Sequence, residues 1–462
     1  MVFANRFPIY ENLHSAECIM QYSTAIVGAG LAGCEAAWQL AGKNIKVTLF
    51  EMRPTVMTEV HRTADPAELV CSNSFKSEEV TNAHGLLKAE MEMANSLIVH
   101  AAKCSRIPAG AALAVDREIF SRQVKKRLID TGYVVFKEQE VTNIEQLRQS
   151  YSCIIIATGP LTSKRLSESL HCLLGEDELF FYDAIAPIVY AESIDMDRAY
   201  RASRYGKGTA DYLNCPMNRK EYEDFVRDLI ASKKIPFKQY EQAKHFEGCM
   251  PIEAMAKRGP ETLSYGPMKP VGLEDPKTGK IPWAVLQLRQ ENRSGSLFNL
   301  VGCQTRMTLP EQKRIFRKIP GLTRCEFARY GSMHRNTYVN APQQLQYSLE
   351  LKKGRNIFLA GQITGVEGYV ESSAMGLWAA INVFQTIHRK PLPKPNPNTM
   401  IGGLVTYLQS RSSKTFQPMN ANFGLLSSYQ GGKKRHKRDR RRVLAENALR
   451  EWRLQLAALL WE

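Results

Sequence analysis

The chain has 462 residues, of which 44% are hydrophobic and 23% charged, and its 62 lysines and arginines against 46 acidic residues give a net charge of +16. That length exceeds one simple core and predicts two domains, or one domain carrying a large insertion. No apolar run reaches the roughly 18 to 20 residues that span a bilayer, no secretory pattern opens the chain, and the ten cysteines show neither CxxC pairs nor zinc spacing. A cytoplasmic protein without a structural metal is therefore expected.

Residues 1–21 lack periodicity and read as an N-terminal extension. Ala25-Ile26-Val27 suits a buried strand, and Cys34 to Leu40 continue as a helix. Between them stands Gly28-Ala29-Gly30-Leu31-Ala32-Gly33, a dinucleotide-binding turn. Its first glycine makes the turn, the second admits a pyrophosphate and the third lets the helix press on the sheet. The first-turn amides then face the phosphates. The next strand, Lys46 to Phe50, ends at Glu51, where a carboxylate can accept from both ribose hydroxyls, as FAD or NAD require and NADP does not.

Helices are predicted over Glu90 to Ala101 and Arg117 to Ile129, the latter from Ile119, Phe120, Val124 and Leu128 at helical spacing. Cys153 to Ile156 is a short, wholly apolar strand ending in Ala157-Thr158-Gly159, the pattern of a buried parallel strand reaching a nucleotide cleft. From about Phe180 to Tyr330 the texture turns to short strand-like pieces with frequent Pro and Gly, as in an inserted α+β domain. The strand pattern returns at Asn356 to Leu359, followed by Gly361, Gln362, Gly365 and Gly368 and a helical run from Ser372 to Ile387. Pro391, Pro393, Pro395 and Pro397 form an extended spacer, and the run Lys433 to Arg442 carries eight basic side chains and one acidic one. Such charge suggests a polyanionic partner, RNA before a membrane.

The expected fold is α/β. A Rossmann-like FAD-binding domain of the glutathione-reductase type spans 22–180 and 331–430, an insert for substrate and RNA spans 181–330, and a basic tail with a C-terminal helix spans 431–462. The turn, the Ala-Thr-Gly strand end and the late Ala-Gly-Gln strand end are three pieces of an FAD site, whereas an NAD domain would not require the last. The final helix would aim its amides at the flavin.

Further segments extend this pattern: Phe50-Glu51-Met52-Arg53-Pro54, Leu69-Val70-Cys71-Ser72-Asn73-Ser74, Ala114-Val115-Asp116-Arg117-Glu118, Asn214-Cys215-Pro216, Asn299-Leu300-Val301-Gly302, His334-Arg335-Asn336, Gly361 to Tyr369 and Phe416 to Gly424. Together they resemble the TrmFO family of folate- and FAD-dependent tRNA (uracil-54-C5-)-methyltransferases, smaller relatives of the GidA/MnmG flavoproteins. The resemblance implies 5,10-methylenetetrahydrofolate as carbon donor, FAD as prosthetic group, NADH or NADPH as reductant and the T-arm of tRNA as substrate, with no obligate protein partner. It leaves a ribosomal RNA uridine open as target, whereas MnmG-like wobble-uridine modification would need a longer C-terminal region and a non-catalytic RNA-binding flavoprotein would need no thiol.

Carbon 5 of uracil is weakly nucleophilic until a thiolate adds at carbon 6. Two cysteines match the family's functional ones by motif. Cys215 is assigned as the nucleophile and Cys71, near the flavin, as the thiol assisting proton removal, with the roles exchangeable and both thiols expected to be partly exposed. Cys34, Cys153, Cys172, Cys249, Cys303 and Cys325 are read as small buried hydrophobes. Tyr369 is expected either over the flavin face or packed in its loop. Arg289, Asn292 and His334 are candidates to meet folate or RNA, and Arg201, Arg204, Lys207, Arg219 and Lys220 to hold RNA phosphates.

Overall fold

The structure, a computed structural model, describes residues 23–175, 179–206, 209–236, 250–410, 416–426, 437–459 and 461. Residues 1–21, Lys207, Cys249 and the first part of the basic run lie outside them.

The chain enters through β1 (Ser23–Val27), α1 (Leu31–Ala41) and β2 (Lys46–Glu51), continues through α2 (Ala83–Met93), α3 (Leu97–Cys104) and α4 (Arg117–Asp130), and adds β3 (Val134–Glu138) and β4 (Cys153–Ile156). A single helix from Glu90 to Ala101 does not form. Asn95 takes φ +56°, and Ser96 starts a new helix by accepting from the Val99 amide at 3.2 Å. The buried Glu35 carboxylate seals the break, accepting from Ser96 Oγ at 2.8 Å and the Ile98 amide at 3.0 Å.

A ribbon of β5 (Leu179–Ala184) leads into the insert: β6 (Ile188–Tyr190), β7 (Tyr200–Ala202), β8 (Tyr212–Met217), α5 (Arg219–Ala231), β9 (Ala284–Gln290), β10 (Leu297–Leu300) and β11 (Phe327–Arg329). These strands form one antiparallel sheet in the order β7-β8-β9-β10-β6-β11. Alternation along them sends Leu213, Cys215, Met217, Leu286, Leu288, Phe298 and Leu300 into the insert's own core with Phe225 and Phe316. Asn214, Gln287, Arg289 and Asn299 fall at the alternate positions, and this polar face meets the first domain.

The chain leaves the insert through β12 (Met333–Tyr338), antiparallel to β5, and completes the first sheet with β13 (Glu350–Leu351) and β14 (Gly354–Leu359). That sheet runs β13-β14-β4-β1-β2-β3, parallel except at β13. The helix α6 (Tyr369–Ile387) is buried on nearly all sides. It lies so close to α1 that a Cβ on Gly376 would stand 2.2 Å from the Ala32 carbonyl oxygen. The last two helices are α7 (Met400–Ser410) and α8 (Lys437–Ala458). α8 begins at Lys437, so the basic run from there onward lies on a helix. Its Ala445, Ala448, Trp452 and Leu456 are buried, and Trp452 Nε1 donates to the Glu90 carbonyl at 2.7 Å. Among the described residues no helix is long and apolar enough to cross a membrane.

Candidate functional site

Three turns converge at the carboxyl edge of the parallel sheet, where open α/β sheets bind ligands. After β1, Gly28 takes φ +101°, and a Cβ there would stand 2.6 Å from the Ala157 carbonyl oxygen, so only glycine closes this turn. Gly33 lies against the Gly28 carbonyl, while Gly30, the residue before α1, has nothing nearer than 4.0 Å to its absent side chain. Gly28, Gly30, Glu51, Ala157 and Thr158 line a cleft of about 550 Å³. Ala29, Leu31 and Ala32 complete the turn, and the Ala29 amide donates to Glu51 at 3.0 Å. An open, glycine-lined cradle at the start of an 11-residue helix fits the diphosphate of FAD.

Glu51 is not a free carboxylate. Its oxygens also accept from the Arg53 amide at 3.1 Å, Arg53 Nε at 2.9 Å and Arg53 Nη2 at 3.1 Å, and Arg53 is tied in turn to Glu68 at 3.1 Å. Burial works against the Glu51 charge, but Arg53 outweighs it and holds the pKa below the usual carboxylate value.

The second turn, Ala157-Thr158-Gly159, follows β4, with Gly159 at φ +64°. The third is Gly361–Thr364 after β14, where Gln362 Nε2 donates to Glu367. Gly368 then leads into α6, and Tyr369 is its first residue.

The Tyr369 hydroxyl accepts from the Cys71 and Ser72 amides, each at 3.0 Å. Its ring leans on Phe75, with centroids 5.7 Å apart, so Tyr369 packs at the start of α6 and also holds the Cys71 backbone. Burial pushes its phenol pKa up. From the insert, Arg289 donates to Asn73 Oδ1 and Ser72 Oγ, both at 2.8 Å, and Asn73 Nδ2 donates to the Gln290 carbonyl at 2.9 Å. Two more guanidiniums hold the backbone just before Cys71: Arg117 reaches the Leu69 carbonyl, and Arg329 the Val70 carbonyl at 3.1 Å. Both interact electrostatically with Cys71. Burial works against the charge of Arg117, but Glu291, which accepts from its Nε at 2.8 Å, outweighs it and raises the pKa. Burial lowers that of Arg329, and Arg117 adds to the effect. Cys71 is thus a partly exposed thiol where the insert sheet meets α4 and α6 of the first domain, under two fixed positive charges.

Cys215 is elsewhere. Its side chain is fully buried in the insert core, where Gly321 leaves 3.0 Å between an added Cβ and its sulfur. Burial, with lesser contributions from Cys325 and Asp195, pushes its pKa up to about 12. The expectation of an exposed thiol there is corrected: β8 alternation turns Cys215 inward with Leu213 and Met217. Cys34, Cys153, Cys303 and Cys325 are buried as expected, and Cys172 is exposed.

Asn292 closes a turn with Ser296, donating at 2.8 Å. His334 falls on β12, and its side chain lies outside the described residues. Of the basic candidates, Arg201 and Lys220 are exposed. Arg219 pairs with Glu223 at 2.8 Å and stacks on Trp283, and Arg204 is engaged by backbone carbonyls. Arg117, Arg329, Ser72 and Asn73 were missed as individual site residues because their partners lie 48 to 259 positions away in sequence.

A family model described as Glucose inhibited division protein A matches residues 23–391. The methylenetetrahydrofolate–tRNA-(uracil-5-)-methyltransferase TrmFO of Geobacter sulfurreducens is 52% identical over 433 residues, covering 94% of this chain and 98% of the relative. The protein of the same name from Dictyoglomus thermophilum is 53% identical over 427 residues, covering 92% and 96%. The crystal structure of Aquifex aeolicus GidA in form II superposes with a TM-score of 0.70 over 96% of this chain and 74% of that one. At 16% identity this is a likeness of fold.

Proposed function

The chain belongs to the TrmFO methyltransferases of the Glucose inhibited division protein A family, and from that premise we propose that it methylates carbon 5 of a uracil in tRNA with 5,10-methylenetetrahydrofolate as carbon donor and FAD as prosthetic group. The target is uridine 54 of the T-loop, the reductant NADH or NADPH, and the compartment the cytoplasm. Residues Gly28 to Gly33, Glu51, Gly159, Gly361 and Gln362 would hold the FAD. Bound there, it supplies the reducing electrons that turn the methylene unit into a methyl group.

The observation that carries the reading is the thiol of Cys71 between the insert sheet and α6, under Arg117 and Arg329. Two guanidiniums favour a thiolate over a thiol. We assign Cys71, rather than Cys215, as the nucleophile. Its sulfur bonds to carbon 6 of the uracil, the C5=C6 electron pair moves onto the C4 oxygen as an enolate, and carbon 5 can then bond to the one-carbon unit. The one-carbon unit's bond to the folate nitrogen then breaks, the departing nitrogen taking up a proton as carbon 5 loses its own, and addition of a hydride equivalent from the reductant to the resulting methylene carbon, with expulsion of the sulfur from carbon 6, would restore the C5=C6 double bond and free Cys71. Tyr369 and Arg289 hold the loop so that the sulfur's position is set before the base arrives. The base itself must leave its stack to meet a thiol held in this way.

Incubation of the flavin-loaded protein with methylenetetrahydrofolate, NADPH and unmodified tRNA, followed by nuclease digestion and mass spectrometry, tests this. A new methyl on the T-loop uridine supports it. Methylation confined to ribosomal RNA, or none, refutes it.

A further inference from the structure

Beside the edge strand β7 of the insert sheet lies a second cleft, of about 950 Å³, walled by Arg201, Ser203, Tyr205, Gly272, Glu274 and Ile281. Tyr205 stands there in a left-handed backbone conformation, φ 59° and ψ 26°, which a bulky L-residue adopts only under constraint. The constraint is visible. The Tyr205 amide donates to the Gly272 carbonyl at 2.8 Å, while Arg204 donates to the Val271 carbonyl and, at 2.9 Å, to that of Lys269. One face of the phenol ring lies on Gly272, where a Cβ would come within 2.6 Å of a ring carbon. Yet the side chain is 60% exposed, and Ile281 across the cleft 62%. Folding gains little from an aromatic ring held in the open on a strained backbone.

We propose that Tyr205 is a stacking platform for an unpaired nucleobase of the RNA substrate, a site separate from the Cys71 thiol. The proposal rests on the RNA reading above and extends it. A nucleobase fits because its flat π-face matches the open side of the ring. Arg201, which has no ion-pair partner among the described residues, lines the same cleft and suits a phosphate. Glu274 on the wall accepts from an amino or imino group on a base edge and disfavours phosphate at that spot. Arg204 Nη2 reaches Gln287 Oε1 at 3.3 Å, and Gln287 precedes by two residues, about 7 Å along β9, the Arg289 that grips Ser72 beside Cys71.

The test is Tyr205→Gly, which removes the ring at a position whose backbone glycine prefers, so the melting temperature holds or rises. Fluorescence anisotropy with a labelled full-length tRNA transcript reads the affinity. Tyr205→Gly weakens binding by about tenfold to a hundredfold, Tyr205→Phe stays within about twofold of the unaltered chain, and flavin content is unchanged in both. If the unaltered chain binds and methylates tRNA and Tyr205→Gly binds it equally tightly, the platform is overturned and the methyltransferase reading stands. An unaltered chain that neither binds nor methylates tRNA overturns both.

Discussion

Replacing Tyr369 by phenylalanine deletes one oxygen and leaves two backbone donors, the Cys71 and Ser72 amides, without the acceptor they share at 3.0 Å. The ring's lean on Phe75 and, through it, the Phe75 contact with Phe120 are kept, so the perturbation falls on the position of the thiol and little else. An unmade hydrogen bond in a partly buried loop costs about 1 kcal/mol at the low end of the usual range, hence about 2 kcal/mol for the pair. If that energy fixes the sulfur in its reactive place, methyl transfer slows by about thirtyfold. Single-turnover transfer from labelled methylenetetrahydrofolate to tRNA measures the rate, with the visible flavin absorbance as a check on cofactor content. The melting temperature should drop by no more than about 2–4 °C. A variant that transfers methyl within about threefold of the unaltered rate would show that the hydroxyl does not position Cys71.

Three further outcomes are expected. Cys71→Ser abolishes methyl transfer while the flavin stays bound, whereas Cys215→Ala keeps most of the activity and loses about 1–2 kcal/mol of stability, seen in denaturant melts, because it opens a void in the insert core. Gly28→Ala drives a methyl group into the Ala157 carbonyl, and the protein purifies with its visible flavin absorbance largely lost. Glu90, fully buried, accepts from the Met400 and Ile401 amides at 2.6 and 2.8 Å, but burial outweighs them and pushes its pKa up to about 8. The folded state thus favours the neutral acid. Its contribution is complete below the ordinary carboxylate pKa and is lost progressively as pH rises from there to about 8, where both states are ionised, so thermal melts should fall from pH 5 to 8 for the unaltered chain and stay flatter for Glu90→Gln.

The parallel sheet was legible because its signals are local. Ala25-Ile26-Val27 and Cys153 to Ile156 are continuous apolar runs whose ends carry the small residues that a nucleotide cleft needs, and no distant contact is required to read them. The break at Asn95 was not legible in the same way. Helical periodicity runs through Glu90 to Ala101, and what splits it is the Glu35 carboxylate arriving from α1 to hold Ser96 and the Ile98 amide. The same holds at Glu51: the acid at the strand end was readable, but its capture by Arg53, and of Arg53 by Glu68, depends on how the following loop folds back.

The two cysteines show where motif and periodicity disagree. Asn214-Cys215-Pro216 suggests a polar turn, yet Leu213, Cys215 and Met217 stand at every second position, with Asn214 and Pro216 between them, which is the alternation of a half-buried strand. Period two carries more weight there than the flanking residue types, because a one-residue shift would expose all three apolar side chains at once. Cys71 has no such neighbours: Val70, Ser72 and Asn73 give neither helical nor strand spacing, and its loop is held by side chains from α4, α6, β9 and β11 instead. A thiol in a segment without periodicity, fastened by four separate elements through three guanidiniums and a phenol, is fixed in place without being sealed from solvent. A nucleophile needs both conditions, and a core cysteine meets only the first.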